Sequence, residues 1–125
     1  MKLQVFLTKL RQVLSFLVGK FWFMRFEVFG ESMLPIFAAK DYLLVFKSRS
    51  VKCGDYVVFC DPRYRNRRLL KMVARVNPSE IFVEGLNKKQ STDSRIFGSI
   101  SKDLIVGKVF MRYYPLFGRG KFWFW

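Results

Sequence analysis

Two hydrophobic rhythms divide the chain. Near its start Leu3, Leu7, Leu10, Leu14, Leu17 and Phe21 recur at alternating steps of four and three, and Lys2, Lys9, Arg11, Gln12 and Lys20 fall off that stripe. This period predicts an amphipathic basic helix from about residue 2 to about residue 22. From residue 26 onward the pattern becomes short β-type runs, with candidate strands at Phe26–Phe29, Tyr42–Phe46, Tyr56–Cys60, Leu69–Val76, Ile81–Glu84 and Lys108–Tyr114. Lys40-Asp41, Cys53-Gly54-Asp55, Asn77-Pro78-Ser79 and Gly85-Leu86-Asn87 carry turn chemistry between them. The expected architecture is mainly β with one leading helix. Its parts are a basic amphipathic helix over 1–25, a domain over 26–116 and an aromatic tail over 117–125.

The helix does not read as a membrane span. Its longest uncharged stretch runs from Gln12 to Gly19, well short of the ~18 apolar residues that cross a bilayer as a helix. Gly19 is followed by Lys20 and large aromatics rather than by a small-residue cleavage site, so export is unsupported. Two readings stand side by side. The helix lies in a membrane interface with Lys2, Lys9, Arg11 and Lys20 near anionic head groups, or it packs on its own domain or a second copy. The expected location is cytoplasmic, at most peripheral at the inner face of the membrane.

Charge and composition narrow the function. The 125 residues include 23 Lys plus Arg against 9 Asp plus Glu, a net charge of +14, with 51% hydrophobic and 18% aromatic residues. So many aromatics argue for a folded domain despite the charge. The charge favours an anionic partner: nucleic acid, an anionic membrane face or an acidic protein. No RNP-type, helix-turn-helix or basic-zipper pattern stands out, so nucleic acid is the least supported. The absence of histidine excludes Ser-His-Asp and Cys-His catalysis and imidazole metal ligands. Cys53 and Cys60 are too few for a structural zinc site or a disulfide framework, and no metal or cofactor is expected. Arg63, Arg65, Arg67 and Arg68 crowd one inter-strand link, which reads as a solvated loop or a surface for an acidic peptide or lipid. The closing Lys121-Phe122-Trp123-Phe124-Trp125 suits a partner or the bilayer boundary.

Three segments could carry chemistry. Gly30-Glu31-Ser32-Met33-Leu34-Pro35 follows a candidate strand, and Lys71 lies within the apolar run Leu69-Leu70-Lys71-Met72-Val73. Taken alone, Ser32 reads as a turn residue. Strand alternation puts Lys71 on one face with Leu69, Val73 and Arg75, which reads as a solvent-facing lysine. The third segment, Gly85 to Gly98, strings together turn residues, hydroxyls and an Asp/Arg pair, too polar for a core strand.

Taken in order, these segments closely resemble the signal-peptidase family of Ser/Lys proteases from about Phe29 to Pro115. Ser32-Met33-Leu34-Pro35 resembles the nucleophile box, followed by Lys40-Asp41-Tyr42-Leu43-Leu44-Val45 where the family has Gly-Asp and an apolar strand. Gly54-Asp55-Tyr56-Val57-Val58-Phe59, Leu70-Lys71-Met72-Val73 and Gly85 through Gly98 resemble the boxes that follow. The resemblance implies a signal-peptidase/LexA-like β-rich domain and a serine endopeptidase acting on a protein precursor. It also implies roles: Ser32 as nucleophile, Lys71 as general base and Ser91 hydrogen-bonded to the Lys71 amine. The Ser32 N–H near Gly30 would hold the oxyanion, Met33 would line the cleft, and Asp93 and Arg95 would form a structural pair. An ordinary lysine has a pKa of ~10.4 and needs a drop of ~3 units to be half-neutral near pH 7.5. Its apolar neighbours are the reason to expect one.

Ser91-Thr92-Asp93-Ser94-Arg95 with Phe97-Gly98, and Arg112-Tyr113-Tyr114-Pro115, are most similar to the nickel-type superoxide dismutase maturation proteases. Such short proteases remove an N-terminal extension from the dismutase precursor. The chain departs from the family at Leu86 and Met72, where two charges thought to pair are usual, and at Lys88 and Lys40. Two alternatives remain: a type I signal peptidase cutting exported preproteins at the membrane, and an inactive basic binding module of the same fold.

Overall fold

The computed structural model describes residues 1–20 and 22–115. Helix α1 spans Lys2–Lys20, and seven strands follow: β1 Phe23–Glu27, β2 Tyr42–Phe46, β3 Tyr56–Cys60, β4 Arg68–Val76, β5 Glu80–Glu84, β6 Ile100–Ser101 and β7 Ile105–Tyr114. A short helix α2, Ser94–Phe97, precedes β6. All pairings are antiparallel, in the spatial order β1-β2-β7-β3-β4-β5-β6. The fold is thus mainly β with an N-terminal helix.

Several boundaries differ from the sequence reading for local reasons. The first strand occupies Phe23–Glu27 rather than 26–29, paired along its length with β2. Val28 still exchanges backbone hydrogen bonds with Asp41 (2.9 Å) and Lys40 (2.8 Å), closing the loop that follows β1. The last strand begins at Ile105, three residues earlier than expected, because Ile105 and Gly107 pair with Phe59 and Val58 of β3. Strand β6 is only two residues long, too short to leave a period in the sequence.

The sheet buries apolar residues on two sides. Val28, Met33, Phe37, Leu43, Val45, Val58, Leu70 and Val109 form one cluster, and Val57, Phe59, Val73, Ile81, Val83, Ile100 and Ile105 form the other. Along β3 and β4 successive residues alternate between them, as the two-residue side-chain period requires. These central strands are therefore apolar on both faces, and any charge placed there is desolvated.

Helix α1 contacts β1, and its leucine stripe is only partly covered. Leu14 is buried at 5% exposure and Leu7 and Leu10 are half-buried, while Leu3, Phe6, Val13 and Phe16 are exposed. The middle of the stripe thus packs on the chain's own domain. The expectations for the side chain of Leu17, for Phe21 and for the aromatic tail 117–125 lie outside the described residues. Among the described residues no helix is long and apolar enough to cross a membrane.

The turn at Lys40 shows a local cost. Its φ is +70°, a left-handed conformation natural to glycine and unfavourable for a side chain bearing Cβ. The adjoining Asp41 is buried with Arg112 of β7 at 3.6 Å. Asp41 Oδ2 accepts from the Ala38 N–H (2.9 Å), and Arg112 donates to the Ile36 carbonyl (3.3 Å). The loop from β1 to β2, which carries Ser32, is thereby tied to the central strand.

Candidate active site

Ser32 and Lys71, separated by 39 positions in sequence, meet in space. Lys71 Nζ donates to Ser32 Oγ at 2.7 Å. Lys71 sits in mid β4 opposite Val57 of β3 and is only 4% exposed, so the solvent-facing reading is overturned. The physical reason is its setting between the two apolar clusters: Leu70 and Met72 pack in the first, Leu69 and Val73 in the second. A register shift between Val73 and Arg75 then lets the strand leave the core, and Arg75 is exposed where Lys71 is not.

Burial pulls the Lys71 amine down from 10.5 to about 8. The Asp93 carboxylate opposes this, the Arg67 and Arg63 cations add to it, and Asp61 opposes it again. The direction follows from desolvation, which disfavours the charged amine.

Asp93 organises the neighbouring loop. It is fully buried, and its two oxygens collect the Gly85 N–H (2.8 Å), the Ser91 hydroxyl (2.7 Å), and the Arg95 backbone N–H (3.1 Å), Nε (3.0 Å) and Nη2 (3.0 Å). Burial by itself would raise this carboxyl. The Arg95 guanidinium, the Gly85 N–H and the Ser91 hydroxyl outweigh it and hold the group well below the usual carboxylate range. Asp93 also caps α2, since Arg95 N–H is the donor its side chain accepts there. Arg95 reaches on to the Lys88 carbonyl at 3.0 Å.

The hydrogen bond expected between Ser91 and the Lys71 amine is not among those made by the described residues. The Ser91 hydroxyl proton goes to Asp93 instead. Ser91 nonetheless stands beside the pair. A Cβ added to Gly85 would collide with Ser91 Oγ and Cβ and lie 2.9 Å from the Ser32 carbonyl oxygen, so only glycine fits between them.

Two further contacts, which sequence reasoning missed, staple the segments together. Asn87 donates from its backbone N–H to the Ser32 carbonyl (2.8 Å) and from Nδ2 to the Glu31 carbonyl (3.1 Å). The sole signal for them was Asn87 itself within a turn-rich segment. The Ser32 N–H donates to no group among the described residues. Gly30, at φ +73°, makes the left-handed turn before Glu31 and Ser32.

A cleft of about 390 Å³ opens over the pair. Val28, Met33 and Leu70 are its buried apolar lining, Met33 belonging equally to the core, and Asn66 and Arg67 line it from the β3–β4 connection with Arg68 from the start of β4. A larger cleft of about 640 Å³ runs between α1 and the sheet past Leu10, Leu14, Arg25, Tyr42 and Tyr113. It holds neither Ser32 nor Lys71 and is the seam left by the partly docked helix. The two departures Leu86 and Met72 both pack against the first apolar cluster. A pair of core contacts there needs no charge compensation.

Comparison with known families agrees with this architecture. The family model for signal peptidase, peptidase S26, matches residues 4–77 and 73–114, and the chain belongs to that family. It is a signal-peptidase-like serine peptidase, and its substrate is a protein. No match is found among curated proteins.

Proposed function

We propose that the chain is a Ser/Lys endopeptidase in which Ser32 is the nucleophile and Lys71 the general base. The observation that carries this reading is the 2.7 Å contact between Lys71 Nζ and Ser32 Oγ, made by an amine that burial pulls to about 8. With Lys71 neutral, the same contact runs in reverse and the nitrogen accepts the Oγ proton as Oγ attacks the scissile carbonyl. The Ser32 N–H stabilises the oxyanion. Lys71 then gives its proton to the leaving amine, and an acyl ester remains on Ser32. Water, deprotonated by the amine, hydrolyses that ester and restores both groups. Asp93, with Arg95, Ser91 and Gly85, fixes the loop against the Ser32 segment and has no part in proton transfer.

The substrate we favour is the precursor of a nickel-type superoxide dismutase, which would lose its N-terminal extension. What supports it is the likeness of Ser91-Thr92-Asp93-Ser94-Arg95, Phe97-Gly98 and Arg112-Tyr113-Tyr114-Pro115 to that branch. The test is incubation of that precursor with the wild-type chain and with Ser32→Ala and Lys71→Ala. Cleavage by the wild type alone supports both residues and substrate, and cleavage surviving Ser32→Ala removes the dyad.

A second reading, cleavage of exported preproteins at a membrane, is favoured by the outward face of α1. Leu3, Phe6, Val13 and Phe16 are exposed beside Lys2, Lys9 and Arg11, a combination suited to an anionic interface. We infer a peripheral position at the inner membrane face for such an arrangement. Flotation with anionic liposomes tests it, and a precursor of the dismutase left uncut while an exported preprotein is cut would reverse the choice of substrate.

A further inference from the structure

The basic link between β3 and β4 is a fixed part of the cleft rather than a loose loop. The Asp61 N–H donates to the Arg67 carbonyl (2.8 Å) and the Arg67 N–H to the Tyr64 carbonyl (2.9 Å), so the backbone at Arg67 is held on both sides. The arginines of this segment then divide into two kinds. Arg63 is committed: it gives Nε and Nη2 to Asp61 at 3.1 and 2.9 Å and lies over the rings of Tyr64 and Phe97. Both Asp61 oxygens are thereby taken, and Asp61 is fully buried.

Arg67 and Arg68 have no such arrangement. Both are exposed, both line the cleft that holds Ser32 and Lys71, and neither forms an ion pair among the described residues. Arg68 makes only a weak contact with the Met24 sulfur, at 4.0 Å. Among the described residues no carboxylate lines this cleft. Two guanidinium groups without an ion-pair contact, of which only Arg67 feels the buried Asp61 at longer range, give the apolar recess a positive potential. The planar guanidinium fork matches a carboxylate in two-point geometry.

We propose that Arg67 and Arg68 form a subsite for an acidic side chain of the substrate, so that the peptidase selects cleavage sites with Asp or Glu close to the scissile bond. This rests on the peptidase reading above and names a specificity for the same site. The apolar stretch Val28, Met33 and Leu70 takes the residue next to it, and the arginines take the charge. A lysine or arginine at that position meets two like charges and is rejected.

The experiment uses a peptide that the wild-type chain cuts, remade with Asp, Asn or Lys at each position flanking the scissile bond in turn. At one position Asp raises kcat/KM about tenfold over Asn, and Lys lowers it. The advantage shrinks as salt rises. In the double variant Arg67→Gln/Arg68→Gln the Asp-to-Asn ratio falls toward one, and in Arg67→Glu/Arg68→Glu the preference turns to Lys. Equal cleavage of Asp and Asn peptides at every position by the wild type overturns the subsite, as does a preference that persists in both double variants. Loss of binding to anionic phospholipid vesicles in Arg67→Gln/Arg68→Gln, with an unchanged Asp-to-Asn ratio, assigns the arginines to a membrane and also overturns it. The peptidase reading fails separately, through cleavage that survives Ser32→Ala.

Discussion

Asp93 and Lys71 are both buried, charged residue types a short distance apart in the fold, and the protein treats them in opposite ways. Asp93, at 0% exposure, collects five hydrogen bonds, two from the Arg95 guanidinium. Its charge is fully accommodated and its carboxyl is held well below the ordinary range. Lys71, at 4% exposure, donates one hydrogen bond, to Ser32, and is otherwise set among Leu69, Leu70, Met72 and Val73. Its charge is starved of partners and its pKa falls to about 8. Burial penalises both ions equally in kind, and the number of hydrogen bonds supplied decides which keeps its charge. A satisfied carboxylate makes a rigid support, and an unsatisfied amine is the group suited to the proposed base.

The largest effect expected from breaking that contrast is on chemistry. Ser32→Ala and Lys71→Ala each lower kcat/KM by at least ~10³-fold, and the double variant is scarcely worse than either, because members of one catalytic unit are not additive. Asp93→Asn comes next. It leaves the buried Gly85 N–H and Ser91 hydroxyl with a poorer acceptor, while Arg95 is exposed enough to be solvated, and costs about 1–3 kcal/mol, read from urea unfolding. The Asp93 contribution is fully present above the ordinary carboxylate range, about pH 4, and is lost as pH falls below it, because the folded pKa is the depressed one.

A third effect is on the pH profile. The active form carries neutral Lys71, so kcat/KM rises about tenfold per pH unit up to about pH 8 and levels off above it. The matching stability effect has the same sign. Between about pH 8 and 10.5 the unfolded chain binds a proton that the folded chain has lost, so stability rises with pH across that window. Lys71→Met, which fills the site without a charge, therefore raises stability at pH 7 by about 1–3 kcal/mol while abolishing cleavage. The smallest effect lies outside the site. Lys40→Gly relieves the φ of +70° and adds about 0.5–1 kcal/mol, seen as a modest rise in Tm.

The same contrast explains what was legible in the sequence. Strands β2 and β3 carry dense β-branched and aromatic runs, and their bounds match the reading residue for residue. The order of boxes around Ser32, Lys71 and Gly85–Gly98 likewise pointed to the family that the chain belongs to. Alternation misread Lys71 because it assumes an unbroken period, whereas β4 shifts register between Val73 and Arg75. It also assumes one wet face, and β4 has apolar clusters on both sides. The Ser91 hydroxyl was expected on the amine because residue order does not show that the loop turns it toward the Asp93 carboxylate. The Asp41–Arg112 pair and the Arg67 side of the cleft arise from strands that meet only in the folded sheet.

The titration of Lys71 itself tests the central claim most directly, through ¹³C-methyl or ¹⁵N lysine NMR on the folded wild-type chain with Lys71→Met used to assign the resonance. The account predicts one lysine resonance titrating near pH 8 that is absent from Lys71→Met. A Lys71 resonance that titrates near its ordinary value of 10.5 would contradict it, since a fully charged amine does not deprotonate Ser32.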